Sequence, residues 1–350
     1  MMQCRCDGAL PVDLEPRYGA EHGGGGFVRL LTTFLPSGFL AASLLLASPA
    51  VVAEPPSWAY PVNPPDFVPR PEDGVARSVP DSAARYSVTQ LRDRFLAPVW
   101  HPGDHPALPR VVAEGRRPDV YACGYCHRAD GSGGPENADI AGLPAAYIVR
   151  QLADFASGAR RSAVPTRAPI RLKLHMAPHL SSEEAAAAAE YFSRLRPQGR
   201  LRVVETGSVP RTQVASWILE AIAGGGAEPI GQRIVELPED FERFENRDSR
   251  ARFVAYVPPG SIARGEWLVT TGGNGKTLPC ADCHGAGLRG DAEVPPIVGR
   301  SPSYVFRQLY DIRHGARSGE RVQPMQAAVA TLTIDDMLAI AAYLAAAGVR

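Results

Sequence analysis

The sequence predicts a mainly α-helical protein: two tandem copies of one small helical domain, joined by a small β-rich insertion. Three observations carry that reading. The pentapeptide CGYCH at 123–127 returns as CADCH at 280–284. A constant offset of 157 residues aligns the two neighbourhoods without a gap: Ile140 falls on Ile297, Gly142 on Gly299, Tyr147 on Tyr304, Arg150-Gln151-Leu152 on Arg307-Gln308-Leu309, and Gly158-Ala159-Arg160 on Gly315-Ala316-Arg317. Each copy then closes on a helical pattern, LSSEEAAAAAEYFSRL from 180 and LTIDDMLAIAAYLAAA from 332. A hydroxyl residue caps each of these, with acids in the first turn.

The elements follow in order. Residues 1–53 read as a leader. FLPSGFLAASLLLASPAVVA (34–53) is apolar, follows Arg29 and ends in small residues, the pattern of a secretory signal cleaved after Ala53, or after Ala50 as second choice. An uncleaved anchor is the lesser alternative, since Pro36 and Gly38 weaken a span. The start is read as annotated too early, with Val28 as the initiator, which would remove Cys4 and Cys6. Residues 54–110 form a proline-rich arm, extended up to about residue 82 and able to dock a partner. SVTQLRDRFLAPVW follows as a helix on the first domain, with Ser87 and Gln90 as a capping box. The first helical domain spans 111–199 and the second 259–350, each with a short helix before its motif (PRVVAEGRR; SIARGEWLVTTGG). Between them, 200–258 alternates in strand fashion in LRVVETG, TQVASWIL and RFVAYVPPG and would set the relative pose of the two domains.

The pentapeptide carries the chemistry. Cys-x-x-Cys alone suits a redox dithiol, half a zinc site or a haem attachment. Neither copy sits in a βαβ context, and the pairs lie too far apart in sequence to be an obvious single zinc site. The histidine directly after the second cysteine decides it. Two cysteines three apart at a helix start share a face, so Cys123 with Cys126, and Cys280 with Cys283, can each form two thioethers to one haem. His127 and His284 then offer an imidazole to the iron. Export fits covalent haem c, so two covalent haems and a periplasmic location are expected. Equal counts of acidic and basic residues, 37 each, argue against nucleic acid as a partner. His101 and His105, beside prolines, read as structural loop residues, with a metal site as the weaker alternative.

With these motifs in place, the two copies resemble class I cytochrome c domains, and their pairing resembles the tandem di-haem cytochromes related to cytochrome c4. AGLPAAYIVRQLADFASGARRS and VGRSPSYVFRQLYDIRHGARSG carry much of the likeness, which covers roughly 111–199 and 259–350. The resemblance implies a methionine on the iron face opposite histidine, which raises the potential relative to two histidines. Met325, seven residues before Leu332, is that candidate in the second copy, in a loop; Met337 reads as core. The same count from Leu180 reaches Lys173, so the first copy departs from the pattern. In LKLHMAPHL the order is Met176, then His175, His179 and Lys173. Lysine stands last because losing its proton costs roughly 4–5 kcal/mol at neutral pH.

The family also holds the proximal imidazole through a backbone carbonyl at a proline. Pro295 or Pro296 serves for His284, and Ala138 and Asp139 stand at the matching positions. Tyr147, Tyr304, Arg160 and Arg317 are candidates for haem propionate contacts, with helix packing and solvated surface as the plainer reading. The expected function is a periplasmic electron carrier, not an enzyme, passing electrons from a donor dehydrogenase to a terminal acceptor. A membrane-associated oxidase or dehydrogenase is one possible partner. A di-haem peroxidase and a haem subunit of a dehydrogenase complex are the alternatives.

Overall fold

Proline fixes φ and removes a backbone donor, so a proline-dense start resists helix. In the computed structural model, which describes residues 54–348, the chain runs from 54 to 87 as turns and extended backbone. The leader and its signal sequence lie outside the described residues. Helix α1 (Val88–Arg92) begins at the Ser87–Gln90 capping box. The first helical copy follows with α2 (Arg110–Ala113), α3 (Cys123–His127), α4 (Ala145–Ser157), α5 (Ala168–Met176) and α6 (Ser182–Ser193). The second has α8 (Ser261–Thr271), α9 (Ala281–His284), α10 (Pro302–Arg313), α11 (Gln323–Val329) and α12 (Ile334–Ala347).

Between them lie strands β1 (Leu201–Glu205), β2 (Ser208–Pro210), β3 (Thr212–Ala215), β4 (Ile218–Ala221), β5 (Ala227–Pro229) and β6 (Val235–Pro238), helix α7 (Phe241–Glu245) and strand β7 (Phe253–Val257). β7 is central to a three-stranded sheet, parallel to β1 and antiparallel to β6, while β2–β5 and β3–β4 form antiparallel pairs. This segment is bonded to both copies. Arg247 donates to the carbonyls of Leu91 and Tyr125, and Arg200 pairs with Asp130 at 3.0 Å. The buried Glu236 accepts from Ser301 Oγ at 2.7 Å and from Ser303 N, at the start of α10. No single helix among the described residues is long and apolar enough to cross a membrane.

The proline-rich stretch is extended, as read in the sequence, but it is packed along its own molecule. Ala59 and Tyr60 are buried in the core of the second copy, where Trp58 packs against Phe306 with ring centroids 4.5 Å apart. Tyr60 Oη donates to Asp311 at 2.8 Å, Arg307 donates to the Ala59 carbonyl, Arg167 to the Pro61 carbonyl, and Trp217 N to Asn63. Prolines leave this backbone without the donors for a ladder, but its carbonyls and aromatic side chains bind it down as a strap over both copies and the insertion.

Two interactions hold the helical copies. Within the second, α8 crosses α12 so closely that a Cβ on Gly265 would stand 2.0 Å from the Ala339 carbonyl oxygen. The N-terminus of α12 is closed by Thr333 and Asp336 in a capping box, and the fully buried Asp336 also accepts from Arg264 (2.6 Å) and Lys276 (2.8 Å). Between the copies, Arg161 N donates to the Ala316 carbonyl at 2.7 Å and Ser318 N to the Ala159 carbonyl at 2.8 Å. These bonds are each other's image under the 157-residue offset. Beside them, Gln151 Oε1 accepts from Arg160 (2.6 Å) and Arg317 (2.9 Å), and Gln308 Oε1 accepts from Arg160 (2.8 Å) and Arg317 (3.1 Å). Arg160 also donates to Tyr304 Oη, and Arg317 to Tyr147 Oη.

Burial alone would push the Asp336 carboxyl up, but the bonds from Arg264, Lys276 and Thr333 outweigh it and hold it well below the ordinary carboxylate range. The folded state therefore binds fewer protons there than the unfolded chain. This stabilisation is complete above about pH 3.9 and is lost as pH falls through the lower folded value. Asp336→Asn is expected to lose about 1–2 kcal/mol at neutral pH and to flatten the acid limb below about pH 4, read by chemical denaturation across pH. Gln151→Ala leaves one donor on each of two buried arginines without its acceptor and should cost about 1–3 kcal/mol. Combined with Gln308→Ala, the loss should depart from the sum of the singles by about 0.5–3 kcal/mol; additive losses in denaturant titrations would contradict the shared network.

Candidate haem site

Helix α3 is a single turn and a half made from the motif itself. Its spacing puts Cys123, Cys126 and His127 on the wall of one cavity. The His127 ring is buried, and its Nδ1 lies 2.8 Å from the Ala138 carbonyl oxygen. That bond makes Nδ1 the donor and leaves Nε2 as the lone-pair nitrogen. In the second copy His284 Nδ1 lies 2.9 Å from the Pro295 carbonyl, the same eleven-residue reach at the same repeat position. The expected carbonyl pairing is thus present in both copies, at Pro295 and Ala138 and not at Pro296 or Asp139.

Electrostatics keep these groups neutral. Burial, helped by Lys173, pushes His127 down to about 3, and burial lowers His284 as well. Each imidazole is therefore held in the form that can ligate a metal. Burial pushes the Cys123 and Cys280 thiols up to about 11, so neither is a ready thiolate for zinc. The motifs differ in cover: Cys123 is buried and Cys126 half-buried, whereas Cys280 is half-buried and Cys283 exposed. Over the first lies Arg247, whose guanidinium sits 3.7 Å from the Tyr125 ring centroid.

The four candidates for the far side of the first site separate by direction. Met176, the last residue of α5, is buried and lines the cavity, and Lys173 lines it one turn earlier. His175 is turned outward: its ring stacks on Tyr121 with centroids 5.8 Å apart and faces Asp119 at 3.5 Å. His179 is exposed, with its carbonyl bonded by Arg116. Met325 does not lie in a loop, as read in the sequence, but inside α11, where Pro324 sits in the first turn. It is half-buried against the same apolar cluster as Cys280, while Met337 is fully buried core.

The four proposed propionate residues are drawn together in the inter-copy network. Arg160 and Arg317 are buried, which excludes a solvated surface. Tyr147, Arg160 and Tyr304 also line the first cavity, so they stand at its polar edge. Sequence reasoning missed Arg167 and Arg307, which join that edge, and the role of Gln151 and Gln308. The glutamines and Arg307 stood in the repeat alignment, where identity at both copies was their signal; Arg167 left none. His101 is buried against Asp248 at 3.0 Å, and His105 Nδ1 bonds the Pro106 carbonyl, in keeping with structural roles.

The lining suits a haem. Ile140, Leu143, Ile148, Leu152 and Phe192 supply apolar wall, the two cysteines and the imidazole come from one face of α3, and Arg160, Arg167 and Arg307 offer cations at the edge where a propionate would need them.

Comparison with known proteins agrees. The cytochrome c family pattern matches residues 112–196. A thiosulfate dehydrogenase electron acceptor of Thiomonas intermedia is 29% identical over 233 residues, 65% of this chain and 80% of that protein. A cytochrome c4 of Pseudomonas aeruginosa is 25% identical over 228 residues, covering 63% and 82% respectively. The solved structure of reduced recombinant cytochrome c4 from Pseudomonas stutzeri aligns with a TM-score of 0.41 at 22% identity, over 64% of this chain and 92% of that one. Pattern, relatives and motif chemistry agree on covalently bound haem c and electron transfer: residues 112–196 carry the cytochrome c pattern, and the chain is similar to cytochrome c4 and to the electron acceptors of thiosulfate dehydrogenases.

Proposed function

We propose that this protein is an exported, periplasmic carrier with two covalent haems, one in each of the helical copies at 111–199 and 259–350. It would accept electrons from a thiosulfate dehydrogenase and pass them to a terminal acceptor. The observation that carries the reading is the doubled constellation: two Cys-x-x-Cys-His turns, each with its imidazole Nδ1 bonded to the carbonyl eleven residues on. Haem c, when bound, supplies reversible one-electron transfer at its iron. In this reading Cys123, Cys126, Cys280 and Cys283 form the thioethers. His127 and His284 would offer Nε2 to the iron, their orientation and tautomer set by the Ala138 and Pro295 carbonyls. Met176 and Met325 would supply the thioether ligands; the inward course of Met176 and outward course of His175 support that choice for the first copy. Arg160, Arg167 and Arg307 neutralise the propionate edge of the first site.

The donor assignment rests on the relatives named as thiosulfate dehydrogenase electron acceptors, and the export on the leader sequence. A pyridine haemochrome assay with a redox titration tests the core of the reading. Two haems per chain are expected, both at high potential and with a methionine–iron charge-transfer band when oxidised. Met176→Ala should abolish that band for one haem only and lower its potential, and Met325→Ala should do the same for the other. One haem per chain, or an unaltered band in either variant, would refute the corresponding assignment. Reduction by a thiosulfate dehydrogenase with thiosulfate should be rapid; failure with that donor, with haem count and potentials as expected, would reject the donor alone.

A further inference from the structure

The histidines turned away from the haem cavity lie close to a carboxylate. Asp119, in the segment leading into α3, His175 on the last turn of α5, and His179 four residues later bring one ligand atom each within 4.8 Å of one another. The His175 Nε2 to Asp119 Oδ1 distance is 3.5 Å and the two imidazole centroids are 5.5 Å apart. The His175–Asp119 distance is longer than a good hydrogen bond. The 3.5 Å between His175 and Asp119 matches the spacing of two ligands that each stand about 2.0–2.2 Å from one zinc-sized cation, and small side-chain rotations would bring His179 to the same point. Both histidines are held from outside the cluster. Tyr121 stacks on His175, and Arg116 donates to the His179 carbonyl at 2.8 Å. The Arg116 charge is countered by Glu184 at 2.9 Å, so it does not oppose a cation there.

From this arrangement we infer a surface site for a divalent transition-metal ion of the zinc class, with Asp119, His175 and His179 as its ligands. Two imidazoles and one carboxylate suit zinc, copper or nickel over calcium or magnesium, which take oxygen ligands. Three protein ligands leave a fourth position for water or for a side chain of a redox partner. The site lies on the outer face of the turn whose inner face presents Met176, and it does not depend on the number of haems or on the identity of the donor.

Zinc titrated by calorimetry into the oxidised, haem-loaded protein tests it, with the visible spectrum of each variant showing that the haem environment is kept. One zinc per chain at micromolar affinity is expected, with a zinc-edge X-ray absorption signature of two imidazoles. His179→Gln and Asp119→Asn remove ligands directly, so each should weaken binding at least as much as the roughly tenfold loss typical of an outer-shell substitution. Absence of zinc binding at micromolar concentrations, or wild-type affinity in both variants, would overturn the site.

Discussion

Two buried arginines share two glutamine oxygens, and most of this structure depends on that arrangement. Arg160 and Arg317 each donate to a glutamine of their own copy and to a glutamine and a tyrosine of the other. A guanidinium has no acceptor and cannot shed its charge, so burying one demands that its donors be met. The offset backbone bonds from Arg161 and Ser318 place both arginines at the seam. With the pose so constrained, the first cavity is completed by Tyr304, Arg307, Gln308 and Asp311 of the second copy. The candidate site is therefore a product of the pairing, not of one domain.

The strap and the β-rich segment extend the same logic. Residues 58–63 bond or pack against the second copy, the first copy and the loop between β3 and β4. The insertion in turn reaches the first motif through Arg247 and the start of α10 through Glu236. Residues that match no part of the repeat thus tie together the two copies that do. The cover they provide is unequal: the first motif lies under Arg247, while Cys283 of the second remains exposed. Solvent exposure is one of the levers on the potential of a haem held at such a motif.

A neutral imidazole at each motif is the second constraint. Carbonyls at Ala138 and Pro295 perform the same task although only one belongs to a proline. The bond requires a backbone oxygen at a fixed reach; the proline ring stiffens that backbone but contributes no acceptor of its own. This explains how the first copy departs from the family pattern at 138 and still holds its histidine.

What the sequence determined alone was the chemistry that is local in the chain. Cys-x-x-Cys-His brings its ligands together within one helical turn, and hydroxyl–acid caps such as Ser181–Glu184 and Thr333–Asp336 mark helix starts over four residues. The alternating runs within 200–258 also emerge as strands. Tertiary structure alone decided what depends on distant partners. In LKLHMAPHL four candidate ligands share one short stretch, and only packing turns Met176 inward and His175 toward Asp119. Met325 reads as a loop residue because the helix around it is short and opens on a proline. The proline-rich start reads only as an extended arm because its partners, Phe306, Arg307 and Asp311, lie some 250 residues away. Periodicity and capping report a backbone's local preference; which side chain faces a cavity is set by surfaces that meet only after the chain has folded.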